Sequence, residues 1–123
     1  MSDSRTFLEE VVAQTAFDWC DASYIYGLAL DEVPAGEAAR DLALDTIREG
    51  LEKGLVAAGD LVPTGGEPAL EFRPWPLPAA EAFARIREEW LEQGTAPEPD
   101  TIVWLQATAA GSRLAEELEG GTS

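Results

Sequence analysis

The sequence predicts an α+β domain: three N-terminal helices, a small antiparallel sheet, an inserted helix and a C-terminal helix. Three observations carry this expectation. Between residues 4 and 53, apolar side chains recur at three- and four-residue spacing in three successive blocks. From 55 to 75 that spacing gives way to two short apolar runs joined by the turn-forming "TGGEP". Near the end, "TIVWLQATAAGSRLAEEL" reads as a strand, a Thr that stops it and a helix. At 123 residues and 46% hydrophobic, the chain is long enough to bury one good core and too short for two, so a single domain spanning 1–123 is expected.

The first helix is expected over residues 4–17. Phe7, Leu8, Val11, Val12 and Thr15 lie on one face, and the polar "SDS" ahead of them suits capping. Asp21 can cap a second helix that turns Tyr24, Ile25 and Leu28 inward and ends before Pro34. The third helix, 37–53, shows the clearest stripe, with Leu44, Ile47 and Leu51, and Gly54 marks its end. "LVAAGDLV" (55–62) and "LEFRPW" (70–75) then read as partner strands. Pro74, Pro76 and Pro78 keep the next stretch extended and lead into a fourth helix over 79–93, with Phe83, Ile86 and Trp90 on one side. Pro97 and Pro99 stiffen a loop, "TIVWLQ" (101–106) forms the last strand, Thr108 caps the last helix, and 119–123 are expected to fray. Trp19, Trp90 and Trp104 sit within apolar patterns and are expected in the core.

The order helix, helix, helix, strand, turn, strand, together with two short motifs, resembles the winged-helix domains of bacterial regulators. Gly54, Leu55 and Val56 match the "GL(I/V)" step that leaves the recognition helix in those families. Thr108 and Gly111 match the "LTxxG" step that leaves the wing, with Ala107 in place of the usual Leu. Residues 76–100 insert a helix where a simple wing would stand. The resemblance implies a winged-helix-like frame over residues 5–118, with DNA reading as its commonest use. In overall character the chain also resembles small acidic proteins of high-G+C bacteria, some of which act as immunity partners of toxins.

Charge argues against the DNA use. The chain carries 24 Asp and Glu against eight Lys and Arg, for a net charge of -16, whereas binding to duplex DNA draws its non-specific affinity from cations that neutralise phosphates. On the third helix, Asp41, Asp45, Glu49 and Glu52 fall within one stripe at about 100° per residue. Arg48 and Lys53 are placed to pair with Glu52 and Glu49. Such a stripe is either a solvated face or a surface for a basic partner, and the overall imbalance favours a basic protein partner such as a toxin.

Catalysis has little to stand on. There is no His, so the commonest general base and zinc ligand is missing. Cys20 lies between Asp18 and Asp21, whose charges disfavour a thiolate, and it reads as a small buried hydrophobe in a reducing compartment. The pairs Asp41 with Asp45 and Glu88 with Glu92 have i,i+4 spacing, but such pairs arise by chance in so acidic a chain. No catalytic residue, metal site or cofactor is expected. No apolar run preceded by positive charge opens the sequence and none is long enough to span a bilayer, so a soluble, cytoplasmic protein is expected. Trp75, held between Pro74 and Pro76, has two roles open to it: a rigid anchor for the partner, or a staple of its own segment onto the body. The candidate partner-binding set is therefore Asp41, Asp45, Glu49, Glu52 and Trp75. The oligomeric state is not legible.

Overall fold

Along the chain the elements are α1 (Phe7–Phe17), β1 (Cys20–Asp21), α2 (Ala22–Ala29), α3 (Glu37–Glu52), β2 (Val56–Pro63), β3 (Leu70–Pro74), α4 (Ala79–Gln93), β4 (Trp104–Ala107) and α5 (Ala109–Gly120). The computed structural model describes residues 6–120. Among these the architecture is α+β, five helices with one antiparallel sheet of four strands in the order β1-β4-β2-β3.

Local chemistry fixes the helix ends. Thr6 caps α1 by a reciprocal box: its hydroxyl accepts the Glu9 N–H at 3.1 Å and the Glu9 carboxylate accepts the Thr6 N–H at 3.0 Å. The helix therefore starts at Phe7; the "SDS" cap expected upstream lies outside the described residues. At the other end α5 runs to Gly120, so residues 119 and 120 are helical where fraying was expected, and 121–123 lie outside the described residues. Asp21 caps α2 as anticipated, accepting the Tyr24 N–H at 2.9 Å. Tyr24 itself does not turn inward. Ala22, Ile25 and Ala29 line the buried side of α2, which leaves Tyr24 beyond its edge, 45% exposed, with its hydroxyl donating to Gln14. Gly54, at φ +70°, ends α3 in the left-handed region that a side chain resists.

β2 and β3 form a hairpin with Gly59 opposite Pro74 and Pro63 opposite Leu70. β4 lies antiparallel on the other side of β2, Val56 opposite Ala107 and Gly59 opposite Trp104. Beyond it the two residues of β1 pair with Leu105 and Trp104. β1 is too short to carry a period and was not expected. The last strand starts at Trp104 rather than at 101, because Asp100 and Ile102 adopt positive φ (62° and 70°) and interrupt the extended run.

One hydrophobic cluster joins Val11 and Val12 of α1, Ile25 of α2, Ile47 of α3, Ile86 and Trp90 of α4 and Leu105 of β4. Helix α4 thus buries its inner face with the rest of the core, and its Trp90 donates its indole N–H to the Thr95 carbonyl at 2.8 Å and meets Tyr26 edge-on. The sheet gives Val56, Ala58 and Leu105 to this cluster. Trp19 and Trp104, expected there too, are only half-buried and lie outside it. Successive residues of a strand face opposite ways, and Trp104 is neighbour to the inward Leu105.

Candidate functional site

The acidic residues of α3 divide between two places. At about 100° per residue Arg48 falls just outside the arc of Asp41, Asp45 and Glu52, on the Asp41 side, while Glu49 lies beyond its other edge. Accordingly the exposed row reads Ala38, Asp41, Asp45, Arg48, Glu52, and half-buried Glu49 lies near Thr6 and Leu8 at the start of α1. Each carboxylate of the predicted stripe has a cation of the same chain beside it. Asp41 lies 3.0 Å from Arg40, and Arg48 is shared between Asp45 at 3.7 Å and Glu52 at 3.9 Å. Glu49 holds Lys53 at 2.7 Å. These pairs are exposed, so each stabilises the helix by no more than about 1 kcal/mol. The row remains acidic, with two carboxylates sharing one guanidinium and a third beside Arg40.

Trp75 is not on the surface. Only 8% of it is exposed, it packs among Leu51, Val56, Ala79 and Ala82, and the Arg85 guanidinium lies 3.8 Å above its ring. Of the two roles open to Trp75, its burial matches the staple: the prolines on either side fix an extended segment, and the indole fastens that segment to the core, so it is not available as a surface anchor. Its N–H is buried without a hydrogen-bond acceptor among the described residues.

Cys20 is buried, and its thiol donates to the Asp18 carbonyl at 3.6 Å. Burial first, then the charges of Asp18 and Asp21, push the thiol up to about 12, far from nucleophilic use near neutrality. Asp21 is equally committed: besides Tyr24 N–H, its carboxylate accepts the Ser23 hydroxyl and the Asp100 N–H. Among the described residues no group of three or more His, Cys, Asp or Glu is placed to hold a metal ion, and no helix is long and apolar enough to cross a membrane.

A different surface stands out on the sheet face turned away from Val56, Ala58 and Leu105. Strand alternation puts Ala57, Gly59, Leu61 and Pro63 of β2 there, with Leu70, Phe72 and Pro74 of β3 and Trp104 and Gln106 of β4. None of these is charged. Phe72 lies over Gly59, where a Cβ would stand 2.8 Å from the ring and 2.4 Å from the Arg73 carbonyl, so only glycine lets the ring lie flat. Trp19 joins this face through its indole N–H, which donates to the Gln106 side chain at 2.9 Å. Beyond them a cleft of about 480 Å³ opens between the end of α1, β4 and the start of α5, lined by Trp19, Gln106 and Ser112, with Phe17 at its edge, 88% exposed. The signal was in the sequence: uncharged residues at 57, 59, 61, 70 and 72 alternate with Asp60, Glu71 and Arg73, but period two alone does not say which face the helices cover.

Compared with models of known protein families, with curated proteins and with solved structures, the chain matches none.

Proposed function

We propose that this chain is an acidic protein-binding module that occludes a basic partner, in the manner of an immunity protein or antitoxin inhibiting a toxin. The observation that carries the reading is the outward row of α3, where Asp45 and Glu52 share the Arg48 guanidinium and Asp41, beside Arg40, adds a third exposed carboxylate, leaving an acidic excess. A phosphate backbone is repelled by such a helix and a cationic protein surface is attracted to it. The net charge of -16 extends that attraction over the whole molecule.

The frame is read as winged-helix-like. In support, a two-residue β1 between α1 and α2 pairs with β4, β4 pairs with β2, and α3 precedes the β2–β3 hairpin, with α4 as the insertion. A winged-helix regulator that reaches DNA weakly or through a partner is the second reading, and that topology is what favours it.

Affinity capture from the native host, followed by binding kinetics across a salt series, tests the proposal. A basic protein is expected, with an association rate that falls steeply as salt shortens the Debye length from about 10 Å at 0.1 M to about 3 Å at 1 M. A nanomolar, sequence-selective complex with duplex DNA at physiological salt refutes it.

A further inference from the structure

The proposed basic partner needs a contact surface, and neither candidate predicted from the sequence supplies an apolar centre: the α3 row is polar and Trp75 is buried. Stable interfaces place aromatic side chains at a desolvated centre inside a polar rim. The outer sheet face has that composition. Trp104 and Phe72 flank and cover Gly59, Leu61 lies beside them, and Trp19 leads on to a mainly polar cleft at the end of α1 that is lined by Asp18, with Phe17 exposed at its edge. In a chain that is 26% charged, the β2, β3 and β4 positions of this face carry no charge, and Asp21 of β1, opposite Trp104, is buried with its carboxylate held by Ser23, Tyr24 and Asp100, a departure that solubility alone works against.

The border of this face fixes the chemistry of what covers it. Asp18 follows Phe17 and accepts the Trp19 backbone N–H at 2.7 Å. Asp18 also caps the C-terminal end of α1, where the helix dipole adds negative potential and the last turn holds no basic residue. Asp100 is exposed ahead of Trp104. An occupant must therefore be apolar in the middle and cationic at its edges. A second copy of this chain brings carboxylates against carboxylates. Single-stranded nucleic acid, which stacks on aromatic platforms, needs a positive channel for its phosphates that this border does not provide.

We propose that the outer sheet face, continued by the Phe17 cleft, is the docking surface for an apolar protein segment edged with arginine or lysine. This rests on the basic-partner reading above, with the α3 row acting at a distance on encounter.

The test uses the full chain and three probes: a synthetic peptide of Arg, Leu and Trp, its counterpart with Glu for Arg, and a single-stranded oligonucleotide. Amide and indole N–H resonances are followed by NMR. Saturable shifts are expected with the Arg peptide alone, at the indoles of Trp19 and Trp104 and the amides of 57–61, 70–73 and 104–106, with the Trp90 indole unmoved. Phe17→Ser, at a site too exposed to disturb folding, and Leu61→Glu should each weaken that binding by about tenfold, the loss expected of an interface anchor. Shifts confined to 41–52 overturn the docking surface and leave the basic-partner reading standing. No saturable shift with the Arg peptide overturns both. Binding of the oligonucleotide, or concentration-dependent self-association that moves the same amides, overturns the assignment of occupant.

Discussion

The substitution Gly111→Ala should destabilise the protein although it replaces glycine by the best helix former. Gly111 lies in the first turn of α5, where the chain passes directly over Leu55. A Cβ at this position would stand 2.0 Å from the Leu55 carbonyl oxygen and 3.3 Å from the Ala107 methyl group. That oxygen is pinned, because it accepts the Thr108 N–H at 3.0 Å, and the Thr108 hydroxyl donates to the Gly54 carbonyl at 2.6 Å next to it. Making room means withdrawing α5 from the turn after α3. Overpacking costs about 1–3 kcal/mol, and weakening the bonds from Thr108 costs about 1 kcal/mol more. Helix propensity returns about 1 kcal/mol. The net expectation is a loss of about 1–3 kcal/mol, read as a lower urea midpoint with an unchanged slope. Gly27→Ala is the control. Gly27 lies within α2 with nothing inside 4 Å of a new Cβ, so the same replacement there should stabilise by about 0.5–1 kcal/mol. If Gly111→Ala is as stable as Gly27→Ala, the close passage of α5 over Leu55 is wrong.

Two tryptophans should answer the same change differently. Trp90→Phe discards a satisfied hydrogen bond in a fully buried site and strands the Thr95 carbonyl, a loss of about 2–3 kcal/mol, whereas Trp75→Phe removes an N–H that has no acceptor and should stay within about 1 kcal/mol of wild type by denaturant titration. The Cys20 thiol, pushed up to about 12 from 9.0, keeps its proton in the folded chain over a range where the unfolded chain has lost it. Its contribution is complete below pH 9 and disappears as pH rises toward 12, at no more than about 1.4 kcal/mol per pH unit. Cys20→Ala should therefore lose less stability than wild type between about pH 8 and pH 10.5, and parallel losses would refute the shifted thiol. Reversing Asp41 and Asp45 to Lys should slow association with the captured partner more than it speeds dissociation; an unchanged association rate across a salt series makes the row a merely solvated face.

Legibility in the sequence followed the length and punctuation of each element. Helix α4 is read at its observed bounds because Pro78 precedes it and Gly94 follows it, and α3 because its apolar stripe runs for four turns. β1 escapes because two residues have no period, and the start of β4 because nothing in "DTI" announces positive φ at Asp100 and Ile102. The candidate site was legible only as angles around one helix. Those angles put Asp41, Asp45 and Glu52 together but not the pairing of Asp45 with Arg48, which depends on rotamers. Trp104 misses its expected place in the core because its strand turns it outward, whereas Trp75, just beyond β3, takes the staple role, one of the two open to it. Which side of a strand is buried is decided by register with partners elsewhere in the chain, so a local pattern shows that two faces differ without showing which one the helices cover.

The pairing of β1 bears on how the chain acquires its structure. Cys20 and Asp21 find their strand partners roughly 85 residues away, and α1 packs on α5, so both ends of the fold close on contacts of long sequence separation. Little of this can form early. While the chain is being synthesised, the first three helices can pack on one another, but the parts of Val11, Val12 and Ile25 that the later elements cover stay open until Leu105 is made. The high negative charge acquires a second use in that interval, since nascent or unfolded copies carrying many carboxylates repel one another while their hydrophobic faces are uncovered. On this view the acidity that marks the native surface also keeps the unfinished chain apart from its neighbours.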